Sequence, residues 1–259
     1  MSAQLDQYDA ILCDIDGCLL AGETVLAGAR ELVARFGARL VAVSNNSTDT
    51  PHTLGARLAR LGLPIPADRI VLAGVTAVDR IAASSPGARL ALCGTGHLAA
   101  YARTQGLRLV ERDADIVLLT RDVDFTYARL ERVVGLLRSG SRLVVANIDA
   151  THPAADGGLV PETGALLGAI TTCLPGLTYE VIGKPEAPLF DIALGKARVR
   201  PDRAILIGDN PATDGAGAHR IGMAFAAIGR GGARDIAELL GTAPTEDPPM
   251  AFGLSASGP

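Results

Sequence analysis

The sequence predicts an α/β protein: a Rossmann-like, doubly wound parallel sheet with a second α/β domain inserted into it. Short apolar runs recur along the chain, and each is followed by a turn and then by an amphipathic segment. Such runs are typical of strands that are buried on both faces of a parallel sheet. Hydrophobic residues make up 48% of the 259 residues and aromatic residues only 3%, which allows a packed core and favours a helix- and turn-rich enzyme scaffold over a β-sandwich.

Four apolar runs are predicted to be the strands of the outer, or core, domain: Ala10–Cys13, Arg39–Val43, Tyr179–Ile182 and Ala204–Ile207. The amphipathic segments of this domain predict helices over 27–36, 51–61, 186–197 and 212–221. Thr50 and Pro51 are typical of an N-cap and a first-turn proline, so they mark the start of the second helix. Strand–helix alternation of this kind implies right-handed crossovers and a parallel sheet.

The middle of the chain repeats this alternation by itself. Its predicted strands are Arg89–Cys93, Ile116–Leu119 and Arg142–Ala146, and its predicted helices cover 96–105, 125–138 and 162–173. We therefore expect residues 77–177 to form an inserted α/β domain, and residues 1–76 and 178–240 to form the core domain. Residues 241–259 are rich in proline, glycine and serine, which predicts a flexible tail.

Charge, hydropathy and cysteine content indicate which kinds of partner and which compartment to expect. The formal net charge of −4 offers no general electrostatic basis for binding nucleic acid. No apolar stretch reaches 18 residues and the first residues lack the basic and apolar regions of a signal peptide, so neither a membrane span nor secretion is expected. Cys13, Cys18, Cys93 and Cys173 form no CxxC pair, which favours reduced thiols in a cytoplasmic protein.

Polar side chains follow the four predicted core strands: Asp14 and Asp16, then Ser44, Lys184 and Asp209. Because ligands bind at the carboxyl ends of parallel strands, these residues are expected to meet. Asp14 and Asp16 are two residues apart and point the same way on an extended segment. A cation can keep one carboxylate ionised while the other holds a proton, so the pair can supply a nucleophile and a general acid/base. The alternative is an acidic surface turn.

Asp209 and Asp214 supply further carboxylates beside the last of these strands. Facing Asp14, they would suit a hard cation such as Mg²⁺, although a helix cap with an acidic first turn explains them equally well in isolation. Ser44 could bind phosphate oxygens and Lys184 could neutralise them. Taken alone, an ordinary cap and a solvated turn are the better explanations of these two residues.

The four histidines do not form a metal-binding set. His52, His97 and His219 fall in helical patterns, where a structural role is expected. His152 lies in the loop 147–153, after a strand of the inserted domain, and could face a substrate there. A loop histidine is more often simply solvated, so both interpretations stay open.

The polar residues at the strand ends, in this order, resemble the four motifs of the haloacid dehalogenase-type phosphohydrolase superfamily. The matching segments are 14–17 (Asp-Ile-Asp-Gly), 44–46 (Ser-Asn-Asn), 183–185 (Gly-Lys-Pro) and 208–214, and the resemblance spans about residues 8–240. The insert resembles the class II cap of the subfamily that contains NagD and the pyridoxal-phosphate and phosphoglycolate phosphatases. This resemblance implies a Rossmann-like core, an α/β cap and phosphatase activity.

By this resemblance, Asp14 is the nucleophile that forms an aspartyl-phosphate, and Asp16 protonates the leaving group and then activates water. Mg²⁺ would be held by Asp14, the main-chain oxygen of Asp16 and Asp209, with Asp214 binding directly or through water. Catalysis would rest on positioning and charge stabilisation around the transferring phosphoryl group.

The resemblance also implies where the substrate binds. The phosphoryl group would contact Ser44, Asn45 and Lys184. The rest of the substrate would contact Asn46, Asn147, Asp149 and His152. Homodimerisation through the cap is common in this subfamily, so a homodimer is compatible with the resemblance, although the sequence gives no separate sign of one.

Three positions depart from the pattern of the superfamily. Cys18 stands where threonine is usual, Ser44 stands where threonine is common, and Glu162 stands where glycine is frequent. The first two are mild changes. The third lies in the cap, so it bears on the substrate and not on the chemistry.

The sequence therefore predicts a Mg²⁺-dependent phosphatase, a phosphoric monoester hydrolase, acting on a small phosphorylated metabolite. A phosphotransferase or phosphomutase would use the same residues, and a non-catalytic phosphometabolite-binding protein is the alternative from another class. A carbon–halogen hydrolase is disfavoured because it needs neither a metal nor an acid such as Asp16. Nucleoside monophosphates, sugar phosphates, pyridoxal phosphate and phosphoglycolate all remain candidate substrates.

Overall fold

The computed structural model describes residues 3–153, 158–229 and 232–242. Its helices are α1 Ala3–Asp6, α2 Ala29–Phe36, α3 Pro51–Arg60, α4 Ala73–Ser84, α5 Gly96–Thr104, α6 Tyr127–Arg138, α7 Thr163–Cys173, α8 Ala187–Ala197, α9 Ala216–Arg220 and α10 Ile236–Leu240. Its strands are β1 Ala10–Cys13, β2 Leu20–Ala21, β3 Thr24–Val25, β4 Leu40–Ser44, β5 Ile70–Leu72, β6 Arg89–Cys93, β7 Arg108–Leu109, β8 Ile116–Leu119, β9 Arg142–Val145, β10 Thr151–Pro153, β11 Leu159–Pro161, β12 Tyr179–Val181, β13 Ala204–Gly208 and β14 Ala224–Ala227. None of these helices is long and apolar enough to cross a membrane. The predicted flexible tail lies, from residue 243 onwards, outside the described ranges.

The first sheet is parallel, with the strand order β14-β13-β1-β4-β5. Alternate residues of its strands face opposite sides, so Ile11 packs with residues of α2, α3 and α10, whereas Leu12 packs with residues of α4, α8 and α9. Because both faces are covered by helices, the strands of this sheet are almost entirely apolar, and the polar Ser44 stands at the carboxyl end of β4. The predicted doubly wound fold is confirmed.

The second sheet is also parallel, with the order β12-β9-β8-β6-β7. One face packs against α6 and α7. The other face contributes Leu90, Leu118 and Val144 to the same apolar cluster that contains Leu12 of the first sheet and Val78 of α4. The two sheets are therefore joined through a shared core and not only by the connecting chain.

The prediction that Tyr179–Ile182 is a strand of the core sheet is wrong. The strand β12 pairs with β9, with Tyr179 opposite Leu143, and so forms an edge of the second sheet. A short apolar run predicts a buried strand but does not determine which sheet it joins. The second sheet thus extends to Val181, beyond the boundary expected at residue 177.

The helix α3 begins as the sequence predicts. The Oγ1 atom of Thr50 accepts a hydrogen bond from the Thr53 backbone N–H at 3.2 Å, and the Thr53 Oγ1 atom accepts one from the Thr50 N–H at 2.9 Å. This reciprocal cap satisfies two N–H groups that the first helical turn would otherwise leave without partners. It also fixes the end of the 44–50 loop, which carries part of the candidate site.

Replacement of Phe190 by alanine is expected to lower the free energy of unfolding by about 3–5 kcal/mol. Phe190 is fully buried on α8, and its ring lies so close to Gly217 that a Cβ there would be 2.3 Å from Phe190 Cε2. Urea denaturation measures the change, and Val123→Ala, at a side chain 72% exposed, serves as the control with an expected change within about 0.5 kcal/mol. Equal losses in both variants would contradict this packing.

Candidate active site

Three of the predicted site residues lie together at the carboxyl ends of neighbouring strands in the first sheet. β1 lies between β13 and β4, so Asp14, Ser44 and Asp209 follow or end adjacent strands. The backbone N–H of Asp14 continues the sheet pairing by donating to the Ile207 carbonyl at 2.9 Å. The rigid sheet therefore sets the position of the Asp14 carboxylate, which is 8% exposed.

Lys184 reaches the same point from the edge of the second sheet. Its Nζ atom lies 2.8 Å from Asp14 Oδ1 and 2.7 Å from Asp214 Oδ1, and it donates to the Val43 carbonyl at 3.3 Å. Burial alone would lower the pKa of Lys184, but Asp14 and Asp214 more than offset this effect and raise that pKa above its ordinary value. The ammonium group is thus held in its charged form.

Asn45 holds the backbone of Lys184. Its Oδ1 atom accepts a hydrogen bond from the Lys184 N–H at 2.8 Å, and its Nδ2 atom donates to the Lys184 carbonyl at 3.3 Å. A Cβ at Gly183 would lie 2.5 Å from Asn45 Oδ1, so this close approach requires glycine. The side chain of Asn45, predicted to contact phosphate, positions the residue that reaches Asp14, and its contact with phosphate stays a prediction.

Three carboxylates beside Lys184 form a group with the spacing of a metal site. Asp14, Asp209 and Asp214 each offer an oxygen, and these oxygens lie within 4.8 Å of one another. Burial and the charge of Asp214 raise the pKa of Asp209, while burial is the main cause of the raised pKa of Asp14. Three carboxylates against one ammonium leave a surplus of negative charge, so the donor set fits a hard divalent cation.

The segment that carries Asp214 differs from the helix predicted over 212–221. Pro211–Gly215 forms a π-helical turn, and the α-helix α9 begins only at Ala216. Within this turn the Asn210 backbone N–H donates to Asp214 Oδ2 at 3.3 Å. A π turn is a common feature of functional sites, and here it carries the fully buried Asp214 carboxylate towards Lys184.

Asp16 lies at the open side of the same cleft, two residues beyond Asp14, and is exposed. Removal of solvent by the surrounding protein nevertheless raises the pKa of Asp16, against the opposing effect of Arg57, Lys184 and His152. A raised pKa favours the protonated carboxylic acid, which is the form that can donate a proton to a leaving group. Arg57 was not singled out by sequence reasoning, because an arginine on the polar face of a helix carries no local signal of a site.

Residues of the second domain meet the core at Asn45. Asn147 Nδ2 donates to the Asn45 carbonyl at 2.8 Å, and Asp149 Oδ2 accepts from Asn45 Nδ2 at 2.9 Å. Asn46 is engaged in its own loop, where its Oδ1 atom accepts from the backbone N–H groups of Thr48 and Asp49. The structure thus brings Asn147 and Asp149 to the site predicted for substrate, with their side chains in contact with protein.

His152 is the fourth residue of the substrate prediction. Its Nδ1 atom lies 2.7 Å from Glu162 Oε1, and that same oxygen lies 3.3 Å from Nε of Arg121. Sequence reasoning noted Glu162 only as a departure from the superfamily and did not single out Arg121. The sequence gives no signal for this cluster because its members are far apart along the chain. Arg121 follows β8, His152 lies in β10 and Glu162 directly precedes α7.

The four cysteines, all within the described ranges, are free thiols. A hydrogen bond with Cys13, together with burial, raises the pKa of Cys18. The Cys18 thiol therefore stays protonated and does not compete for a cation as a thiolate. The expectation of reduced cysteines is confirmed.

Comparison with known proteins places this site in a family. Residues 11–108 match a family model described as haloacid dehalogenase-like hydrolase, and residues 181–248 match a second model described as HAD-hydrolase-like. Chronophin from Rattus norvegicus is 35% identical over 235 residues, which cover 85% of this chain and 75% of the relative. The first matched segment contains Asp14, Asp16 and Ser44, and the second contains Lys184, Asp209 and Asp214.

Solved structures give the same result. The p-nitrophenyl phosphatase from Archaeoglobus fulgidus has a TM-score of 0.81 at 25% identity, covering 92% of this chain and 95% of that one. A glycerol phosphate phosphatase from Mycobacterium tuberculosis in complex with magnesium has a TM-score of 0.79 at 28% identity, covering 86% of this chain and 68% of that one. These findings confirm the predicted enzyme class, phosphoric monoester hydrolase. The chain belongs to the haloacid dehalogenase-like hydrolase family.

Proposed function

We propose that the protein is a Mg²⁺-dependent phosphatase that hydrolyses a small phosphomonoester through an aspartyl-phosphate on Asp14. The observation that carries this proposal is the buried contact of Lys184 with Asp14 and Asp214, beside the exposed acid Asp16. A nucleophile, a cation for phosphoryl oxygens and a proton donor are thereby present in one cleft. The relatives named as phosphatases support the same reaction.

In the first step, a carboxylate oxygen of Asp14 attacks phosphorus. Lys184 Nζ and the Ile15 N–H both contact Oδ1, so we assign the attack to Oδ2. The bond between phosphorus and the leaving oxygen breaks, and Asp16 gives its proton to that oxygen. Lys184 neutralises developing charge on the phosphoryl oxygens, and Ser44, whose Oγ accepts from the Asn46 N–H, keeps its own proton to donate to them.

In the second step, water attacks the phosphorus of the aspartyl-phosphate. Asp16, now a carboxylate, accepts a proton from that water, and the bond between phosphorus and Asp14 breaks to release inorganic phosphate. The same residue thus acts as acid and then as base, which regenerates both side chains in their starting forms.

Asp14, Asp209 and Asp214, with the main-chain oxygen of Asp16, are the residues we assign to a magnesium ion. When bound, Mg²⁺ would offset negative charge on the carboxylates and on the phosphoryl oxygens. The fit rests on the spacing of the three carboxylates and on their surplus charge. The magnesium complex of the Mycobacterium tuberculosis relative supports the choice of ion.

The inserted domain gives the site its substrate-selecting part. Asn147 and Asp149 contact Asn45, next to Ser44, and His152 follows them in the same loop and hairpin. We therefore assign the leaving group to the space between Asp16 and this part of the cap. The names of the relatives, p-nitrophenyl phosphatase and glycerol phosphate phosphatase, support a small phosphomonoester.

Asp14→Asn should abolish turnover because an amide is not a nucleophile towards phosphorus. With Mg²⁺ and a panel of phosphorylated metabolites, phosphate release by the wild type should fall by roughly 10⁴-fold or more in this variant. Acid-quenched protein should carry radiolabelled phosphate only when Asp14 is present. Asp9→Asn, at a surface residue paired with Arg203, is the matched control. A labelled Asp14→Asn protein would exclude the proposed intermediate.

Asp16→Asn should discriminate between leaving groups. Hydrolysis of phenyl phosphate should slow by about 10²–10⁴-fold, because phenolate leaves poorly without a proton donor. Dinitrophenyl phosphate needs no such donor, so it should still give a rapid burst of dinitrophenolate, followed by slow release of phosphate. Stopped-flow absorbance measures the burst. Equal slowing of the first step with both esters would show that Asp16 is not the acid.

Gly17→Ala should weaken magnesium binding. Gly17 has φ of +83°, and a Cβ there would lie 2.2 Å from Asp209 Oδ2, so the carboxylate must shift. The Mg²⁺ concentration for half-maximal activity, and the dissociation constant from calorimetry, should rise about 10-fold or more. Gly22→Ala is the matched control, since Gly22 also has a positive φ, +61°, but has no atom within 4 Å of an added Cβ. Similar effects of both variants would contradict the assignment of Asp209.

A further inference from the structure

The loop 45–48, which follows β4 of the first sheet, is bound at the carboxyl ends of strands in the second sheet. Thr95 and Arg121 each come two residues after such a strand, β6 and β8 respectively. The Thr95 hydroxyl donates to the Thr48 carbonyl at 2.7 Å. The Arg121 backbone N–H donates to Ser47 Oγ at 3.0 Å. Two strand ends of the inserted domain therefore hold this loop of the core.

The two neighbouring strands of the second sheet, β9 and β12, contact the same loop. Asn147 follows β9, and its Nδ2 atom donates to the Asn45 carbonyl at 2.8 Å. Lys184 follows β12, and its backbone N–H donates to Asn45 Oδ1 at 2.8 Å. Because all four strands run parallel, their carboxyl ends lie together, at the position where open α/β sheets bind ligands. Here that position is filled by a segment of the core domain.

Ser47 lies at the centre of this contact and is buried. Besides the Arg121 N–H, its Oγ atom accepts from Asn147 Nδ2 at 3.4 Å. It also lies 3.5 Å from Oγ1 of Thr163, the first residue of α7, and the side chains of Asn147 and Thr163 are buried as well. Buried polar groups cost free energy unless they are hydrogen-bonded, so these bonds favour one arrangement of the two domains. One serine hydroxyl thus joins three segments of the inserted domain to the core.

The same loop supports the serine that we assign to the phosphoryl group. Ser44 Oγ accepts from the Asn46 N–H at 3.0 Å, and the Asn46 carbonyl accepts from the Gly74 N–H of α4 at 3.2 Å. The helix packs so closely here that a Cβ at Gly74 would lie 2.9 Å from the Cα atom of Ser47. The position of the Ser44 hydroxyl therefore depends on the loop, which is held by α4 on one side and by the second sheet on the other.

We propose that Ser47 and Thr95 are positioning residues, which fix the loop 45–48 against the second sheet and so place Ser44 for binding the phosphoryl group. This inference rests on the proposed phosphatase function. The phosphoryl group is common to all phosphomonoesters, whereas the leaving group is not. Loss of either positioning residue should therefore weaken the binding of different phosphomonoesters by the same factor, and should weaken the binding of inorganic phosphate as well.

Calorimetry with inorganic phosphate tests the proposal without turnover. Phosphate titrated into Mg²⁺-saturated protein should bind about 10-fold more weakly to Thr95→Val than to the wild type, because the Thr48 carbonyl loses its donor. Thr126→Val is the matched control: both threonines cap a helix of the inserted domain, where Thr95 accepts from the Leu98 N–H and the exposed Thr126 accepts from the Arg129 N–H. The control should bind phosphate within about twofold of the wild type.

Two further measurements separate positioning from a general loss of structure. The dissociation constant of Mg²⁺ should stay within about twofold in Thr95→Val, since Asp14, Asp209 and Asp214 are carried by the first sheet and its π turn. Thr95→Ser keeps the hydroxyl and should bind phosphate within about twofold of the wild type. A general loosening of the molecule would instead weaken the binding of both ligands.

Ser47→Ala tests the same contact from the core side. KM for phenyl phosphate and for ethyl phosphate should rise by the same factor, about 10-fold, because the Arg121 N–H and the Asn147 amide lose a buried acceptor. The kcat values should stay within about threefold, since the phosphoryl contact is made in the ground state and in the transition state alike. Ser141→Ala, which removes a hydrogen bond to the Ala114 carbonyl inside the inserted domain, is the control and should leave KM within about twofold.

Equal phosphate affinities of Thr95→Val and Thr126→Val would overturn the inference, and so would a KM change in Ser47→Ala that is confined to one ester. The threonine variants give this answer by themselves where Ser47→Ala fails to fold. Absence of ester hydrolysis by the wild type would overturn the proposed function, whereas the phosphate titrations would still decide the role of the loop contacts. Absence of phosphate binding by the wild type would overturn both.

Discussion

The buried ammonium of Lys184 is the constraint on which the rest of the site depends. Taking such a charge out of water costs several kcal/mol, and this cost is offset only when oxygens surround it closely. Asp14 and Asp214 provide them at 2.8 and 2.7 Å. Loss of the ammonium or of either carboxylate would leave an uncompensated charge in the core. The two strand ends and the π turn that carry these three residues must therefore bring them within hydrogen-bond distance.

This requirement also joins the two sheets. Asp14 and Asp214 belong to the first sheet and its π turn, whereas Lys184 follows the edge strand of the second. Asn45 reinforces the junction, since one amide group contacts both the Lys184 backbone and Asp149. The residue that positions Lys184 thus also contacts the inserted domain, so under the proposed mechanism a change at Asn45 would affect both the phosphoryl group and the leaving group.

The sequence predicts correctly those features that depend on residues close together in the chain. β1 and β8 have the predicted bounds, because strands buried on both faces are continuous apolar runs. Asp14 and Lys184 were found because polar residues that end such runs are conspicuous. The prediction of the sheet that β12 joins was wrong, and Arg121 was missed, for the same reason. The pairing of β12 and the contact of Arg121 with Glu162 both join residues far apart in sequence. Neither an edge strand nor a surface arginine carries a local signal that identifies its partner.

The residues around Lys184 and the charged residues of the inserted domain differ in how freely they can be substituted. Asp14 and Ser44, which we assign to phosphoryl transfer, follow or end buried strands of the first sheet, and Lys184, which follows the edge strand of the second, is buried against Asp14. A substitution at these positions disturbs the apolar core or the charge balance around Lys184. The cluster of Arg121, His152 and Glu162 lies instead in loop, hairpin and helix-start positions with partly exposed side chains. Exchange of residues there would change the charge of the inserted domain without uncovering the buried ammonium of Lys184, so this part of the molecule can vary while the surroundings of Asp14 are preserved.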